Sequence, residues 1–199
     1  MNIRPATPND AQALADVSSA TYKSTYTGMF SKDSWLDFAT PGYFHSIWEK
    51  DLVPATSEGA VLVSEDSGKI VGFIATKAIG ERGDAYEELA PGAFFELKEL
   101  YVLKDYQFSK QKIGTHLLHE AIKDLAEDKM IVGHAARRNE NLRKYMASLG
   151  AEERESGTII LFKHATDGEP WEIKTGRVSF YWKVPVLREA LEAKLAKAS

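Results

Sequence analysis

The part of this 199-residue chain richest in chemistry runs Glu96-Leu97-Lys98-Glu99-Leu100-Tyr101-Val102-Leu103. After a polar loop without proline it continues Lys110-Gln111-Lys112-Ile113-Gly114-Thr115-His116-Leu117-Leu118. The pattern predicts a strand, a loop and the start of a helix. The first N–H groups of a helix have no carbonyl partner within it and sit at the positive end of its dipole, so such a start is an anion site. Lys110 and Lys112 add positive charge there, and Gly114 lets backbone approach a ligand with no Cβ in the way. The same residues also fit an ordinary strand-to-helix turn with solvated lysines.

Other chemistry-bearing residues are scattered. His116 and His119 lie three apart on the helix, a metal-ligand spacing, but no third ligand is evident and solvated positions fit them better. His45, His134 and His164 are isolated. The acidic loop with Glu81, Asp84, Glu87 and Glu88 is either solvated or able to draw in a polyamine. The aromatics Trp35, Phe38, Tyr43, Phe44 and Trp48 read as core or substrate lid, rather than as a stacking platform for bases.

Composition removes several classes. There is no cysteine, which excludes disulfides, cysteine-ligated metals and a cysteine acyl-enzyme. Any thioester chemistry must then use a thiol carried by a cofactor. Lysine plus arginine total 25 against 29 acidic residues, a formal charge of −4. That balance argues against a nucleic-acid partner and is compatible with a cationic substrate. The start, Met1-Asn2-Ile3-Arg4-Pro5-Ala6, has no apolar run of a secretion signal, and no segment approaches the roughly 20 apolar residues of a membrane helix. The expectation is a cytoplasmic protein with no membrane partner.

The elements that must position these residues follow from periodicity and turn chemistry. A strand at Asn2–Pro5 is followed at Pro8-Asn9-Asp10 by a helix start, with a helical stripe to about Tyr26. Shorter helical pieces are expected at 31–38 and 42–50. Strands follow at 60–63 and 70–75 around the turn Asp66-Ser67-Gly68-Lys69, and at 94–103. Ile113, Leu117, Leu118, Ala121, Ile122 and Leu125 share one helical face. Residues 130–132 form a short strand, and 139–149 a helix closed by Gly150. Strands at 158–162 and 178–183 close the sheet. Pro185 opens a last helix, with Arg188, Glu189, Glu192 and Lys194 expected to face water. A strand meander followed by strand–helix units implies an α+β domain with a mixed sheet.

The strand–loop–helix stretch resembles the acetyl-CoA signature of the GCN5-related N-acetyltransferase (GNAT) family. There a Leu-Tyr-Val strand end leads to a Gln/Arg-x-x-Gly-x-Gly/Ala loop that wraps a pyrophosphate. Tyr106-Gln107 and Ile113-Gly114-Thr115-His116-Leu117-Leu118 continue the match. Two departures stand out: the loop is two residues longer, most simply at Phe108-Ser109, and Lys112 replaces the first glycine. Either Gln107 or Ser109 takes the Gln/Arg place. Downstream, Asn139-Glu140-Asn141-Leu142-Arg143-Lys144-Tyr145-Met146-Ala147-Ser148-Leu149-Gly150 is similar to the family's Asn-x-x-Ala-x-x-Phe-Tyr-x-x-Leu-Gly segment. The resemblance covers about residues 2–165.

The resemblance implies a three-layer α/β/α domain over 1–184 with an appended helix at 185–199. Its sheet would be mixed, mostly antiparallel, of six to seven strands, and splayed between strands 4 and 5. It implies direct transfer of acetyl from acetyl-CoA to a primary amine such as a polyamine, with no metal and with a homodimer compatible. Cofactor contacts would come from Tyr101, Val102 and Leu103, whose backbone would pair with pantetheine. Further contacts would come from Gln107, Ser109, Lys110, Gln111, Lys112, Ile113, Gly114 and Thr115, and from Asn139 and Lys144 (or Arg143). Glu96 would be the base that takes the amine's proton, with strand alternation turning it away from Glu99. Tyr145 would be the acid, although in gapless register the family's tyrosine falls on Met146. That departure also supports an alternative, a non-catalytic acetyl-CoA-binding sensor or partner module.

Overall fold

The computed structural model describes residues 1–29, 33–52, 59–79, 93–163 and 171–197. The acidic loop with Glu81, Asp84, Glu87 and Glu88, and His164, lie outside the described residues. The elements are β1 (Asn2–Pro5), α1 (Ala11–Tyr26), α2 (Pro41–Asp51), β2 (Val61–Asp66), β3 (Lys69–Ala78), β4 (Ala93–Val102), α3 (Ile113–Ile122), β5 (Met130–Ala136), α4 (Glu140–Ala147), β6 (Glu152–Lys163), β7 (Trp171–Lys183) and α5 (Val184–Ala196). The expected helical piece near residue 33 is a short 3-10 segment, Asp33–Phe38. β5 and the closing strands run longer than their apolar cores suggested, because main-chain pairing extends them past their buried residues.

Seven strands form one sheet in the order β1-β2-β3-β4-β5-β7-β6. Every neighbouring pair is antiparallel except β4 with β5, which is parallel. Helices cover both faces. One core gathers Ile74, Leu97, Val102, Ile131 and Phe180 of the sheet with Ile113, Leu117 and Leu118 of α3, Met146 of α4, and Leu187 and Leu191 of α5. The other joins Leu14 and Val17 of α1, Phe44 and Trp48 of α2, and Val63 and Phe73. β3 is an interior strand next to the central β4, and its residues 70–76 are buried throughout, as expected for a strand covered on both faces.

Two irregularities shape the centre. Ala75 pairs with Glu99 and Thr76 with Leu97, leaving Lys98 as an extra residue, a β-bulge in β4. A bulge shifts the two-residue alternation by one, so Leu97 and Leu100 both join the α3-side core. Glu96 and Glu99 therefore share the opposite face, and the facing expected from simple alternation is overturned.

The second irregularity is a fork. β4 and β5 pair from Ala93↔Met130 to Leu97↔Gly133 and no further. Both strands continue beyond that point, β4 to Val102 and β5 to Ala136. β4 keeps its pairing with β3, and β5 with β7, so the sheet is splayed between them.

α5 runs antiparallel along α3. Near its start the Arg188 guanidinium donates to the carbonyls of Lys123 and Leu125, at 3.3 and 2.8 Å, just past the end of α3. At the other end the Lys112 ammonium, before the first turn of α3, donates to the Lys194 carbonyl. Each helix thus has carbonyls left over at its C-terminal end taken by a basic side chain from the other. Arg188 and Lys194 are half-buried, which corrects the water-facing role expected for them.

Candidate active site

The fork opens into a cleft of about 950 Å³. Its walls are residues 97–102 of β4, 133–135 of β5, the first turn of α3, Asn139, Tyr145 and Met146 around α4, residues of α1 from Thr21 to Tyr26, and Met29 just beyond it. Lys194 and Lys197, at the end of α5, complete it.

One end of the cleft is the start of α3. The first intrahelical bond runs from the His116 N–H to the Lys112 carbonyl at 3.0 Å. The N–H groups of Ile113, Gly114 and Thr115 precede it and have no i−4 helical carbonyl to bond. Lys112 has φ 47° and ψ 41°, the left-handed conformation that glycine adopts without a Cβ penalty. The backbone thus keeps a glycine-like turn at the position where the resemblance has glycine. Lys104, Lys112, Lys194 and Lys197 line the cleft, and the buried Ser109 hydroxyl, also in its wall, has no hydrogen-bond partner. Lys104, Lys194, Lys197 and Ser109, with the Lys112 ammonium turned to the Lys194 carbonyl, are a donor set for anionic oxygens.

The other end is chemically different. Tyr26, Glu99 and Tyr101 line it. Burial pushes both phenols above their usual range and the Glu99 charge adds to the effect, so both stay protonated at neutral pH. His134 also lines the cleft, one residue beyond the last parallel pair of the fork. Its Nδ1 lies 2.7 Å from the Ser179 hydroxyl. Burial first, then the Arg177 charge, depress the pKa of His134 below the ordinary histidine value, while the charge of Glu96 opposes them. The ring is accordingly neutral at pH 7, the form that accepts a proton.

The residues singled out from sequence divide. Tyr101, Val102, Gln107, Ser109, Lys112, Ile113, Gly114, Thr115, Asn139 and Tyr145 line the cleft; Glu96, Leu103, Lys110, Gln111 and Lys144 do not. The Leu103 N–H donates to the Val71 carbonyl at 2.9 Å, within the sheet. Gln107 folds back to give Nε2–H to the Val102 carbonyl at 2.8 Å. Asn139 caps α4, its Oδ1 accepting from the Leu142 N–H at 3.2 Å. Lys144 is exposed 3.6 Å from Glu140, and Arg143 forks onto Glu153 at 2.7–3.1 Å. Glu96 lies behind His134, paired with Val132 on the same face.

Tyr145 places its hydroxyl 3.1 Å from Thr115 Oγ1 in the first turn of α3. Burial raises its pKa, partly offset by that bond. Met146, the neighbouring residue, is buried in the α3-side core. Reading by sequence missed His134, Lys194 and Lys197. None carries a local signal, since the first stands alone in a short strand and the others belong to the charged face and end of the last helix.

Among the described residues no three histidine, aspartate or glutamate side chains group as a metal site, and no helix is long and apolar enough to cross a membrane.

A parallel pair that splays beside a helix start is the architecture of a known class, and the comparisons agree. The profile described as the Acetyltransferase (GNAT) family matches residues 28–151. The chain belongs to that family. Among curated proteins nothing matches. Similar solved structures include the PaiA N-acetyltransferase of Thermoplasma acidophilum in complex with coenzyme A, at 20% identity and TM-score 0.54, covering 91% of this chain and 98% of that one. The ribosomal-protein-alanine N-acetyltransferase of Brucella melitensis matches at 19% identity and TM-score 0.54, covering 92% and 99%. A diaminobutyrate acetyltransferase of Paenibacillus lautus, solved with L-2,4-diaminobutyric acid and coenzyme A, matches at 12% and TM-score 0.53, covering 90% and 93%. At these identities the likeness is one of fold.

Proposed function

We propose that this protein transfers acetyl from acetyl-CoA to a primary amine by direct attack, without an acyl-enzyme. The observation that carries the reading is the fork: β4 and β5 part after Leu97 and Gly133 and leave a cleft that reaches the first turn of α3. Backbone groups that two strands no longer share are suited to pair with the extended amides of pantetheine. The lysines and the unpartnered Ser109 hydroxyl at the α3 end fit the phosphates.

At the opposite end the Glu99 carboxylate, set against Tyr26 and Tyr101, favours a cation, which supports an amine acceptor of the diamine or polyamine kind. An ammonium must lose one proton before its nitrogen attacks the thioester carbon. His134 is the base in this reading, accepting that proton, and Glu96 stands behind it as the carboxylate that steadies the imidazolium. As the C–S bond breaks, the thiolate takes a proton from an acid, and the new amide nitrogen gives up its second proton to restore that acid. Tyr145, the tyrosine of α4, keeps its proton at neutral pH and is that acid in this reading.

The test is thiol release from acetyl-CoA over a panel of polyamines, diamino acids, aminoglycosides and peptides. Release with a diamine or polyamine and acetylation at nitrogen is the expected result. The second reading, a binding module without turnover, rests on Met146, buried at the place where the family pattern has tyrosine. Tight acetyl-CoA binding with no release across the panel would establish it.

A further inference from the structure

The C-terminal helix enters the cleft through geometry that the cleft itself does not require. Leu187, Leu191 and Lys194 fall at i, i+4 and i+7, one face of α5. The two leucines are fully buried against the α3-side core, so the third position of that stripe points along α3 rather than into water. Because α5 runs antiparallel to α3, this position arrives at the start of α3. The Lys194 ammonium lies 6.0 Å from the centre of the Tyr145 ring, whose hydroxyl reaches Thr115 in the first turn. Lys197, three residues on, lines the same cleft.

The C-terminal end of a helix carries partial negative charge, and bringing it beside an anion site is unfavourable unless cations intervene. The Lys112 side chain is spent on that task, since it donates to the Lys194 carbonyl. The ammonium that Lys112 withholds from a bound anion is replaced by that of Lys194, which comes from the helix Lys112 secures.

We infer that α5 forms one wall of the cofactor site and that the Lys194 ammonium contacts a phosphate of coenzyme A. The inference rests on the acetyl-CoA reading above. It assigns a ligand-binding role to a helix that sequence comparison leaves outside the matched residues 28–151.

Calorimetric titration of the full chain with coenzyme A, dephospho-coenzyme A and pantetheine tests it. The wild-type protein should prefer coenzyme A to pantetheine; if it binds neither preferentially, the acetyl-CoA reading itself falls. Lys194→Gln should weaken coenzyme A by about tenfold or more, the scale of one charge-assisted contact, and leave pantetheine unchanged. Lys194→Arg should restore most of the loss. An equal loss for dephospho-coenzyme A assigns the contact to the pyrophosphate, and a loss confined to coenzyme A assigns it to the 3′-phosphate. Two results would overturn the inference while the wild-type preference stands. One is unchanged coenzyme A affinity in Lys194→Gln; the other is equal weakening of coenzyme A and pantetheine, which marks Lys194 as a prop for Tyr145.

Discussion

The imidazole of His134 and the hydroxyl of Ser179 meet at 2.7 Å across the paired strands β5 and β7. That bond fixes the plane of a ring standing just past the fork, in the wall of the cleft. If His134 is the base, His134→Gln should lower kcat by roughly 10²-fold or more, with acetyl-CoA binding nearly intact. The sign of the pH effect separates His134 from a bystander. Glu96 raises the His134 pKa, so Glu96→Gln should let it fall and move the acidic limb of kcat/KM to lower pH. A limb that stays in place in Glu96→Gln would remove the coupling between the two residues.

Tyr145 and Met146 are adjacent but placed for different work. Tyr145→Phe should reduce kcat with little change in acetyl-CoA affinity. It should also cost about 1 kcal/mol of stability, because the buried Thr115 hydroxyl loses a partner. Met146→Tyr inserts a phenol into a packed core and should destabilise by about 1–3 kcal/mol. Thermal melts and steady-state rates on the two variants decide both points. A Met146→Tyr protein that is as stable as wild type and faster would reverse the assignment.

Gly72 sits where β3, β4 and α3 converge. A Cβ there would lie 2.9 Å from the Tyr101 carbonyl, 3.2 Å from Val102 Cγ2 and 3.3 Å from Ile113 Cγ2. The first of these is backbone and cannot rotate aside. Gly72→Ala should therefore cost about 2 kcal/mol, a Tm lower by about 4 °C or more. It should weaken acetyl-CoA too, since the displaced atoms belong to the cleft wall. A native melting temperature would show that the strands can part without cost.

The Arg4 guanidinium meets Asp10 at 2.8 and 2.9 Å and holds that carboxyl down at about 2, against an ordinary value of 3.8. A depressed carboxyl pKa contributes stability above the unfolded value and loses it as pH falls through the folded one. Asp10→Asn should be less stable than wild type by about 2 kcal/mol at neutral pH. The gap should close between about pH 4 and pH 2. Urea unfolding at pH 7, 4 and 2.5 measures it, and a gap independent of pH would mean the pair contributes nothing through charge.

The sequence by itself determined what local chemistry can specify. The face of α3, Asn139 as the cap of α4 and Gly150 at φ 77° after it follow from helical period, side-chain oxygens and the absence of a Cβ, all read within a few residues. So did the free N–H groups at the α3 start, because they belong to any helix beginning. The family pattern added the splay, which depends on where two distant strands stop pairing.

Only the tertiary structure decided which groups meet. The extra residue Lys98 has no local signature, yet it turns Glu99 to the face of Glu96 and reverses the reading made from alternation. Glu96 then shares a face with His134, which feels its charge and is brought alongside by β5 from a stretch of chain 38 residues on by number. Lys194 looked solvated because charge on a short helix usually is. Antiparallel packing of α5 on α3 sends it into the cleft instead, since the buried stripe of leucines, and not the charge of the next residue along it, sets how the helix lies.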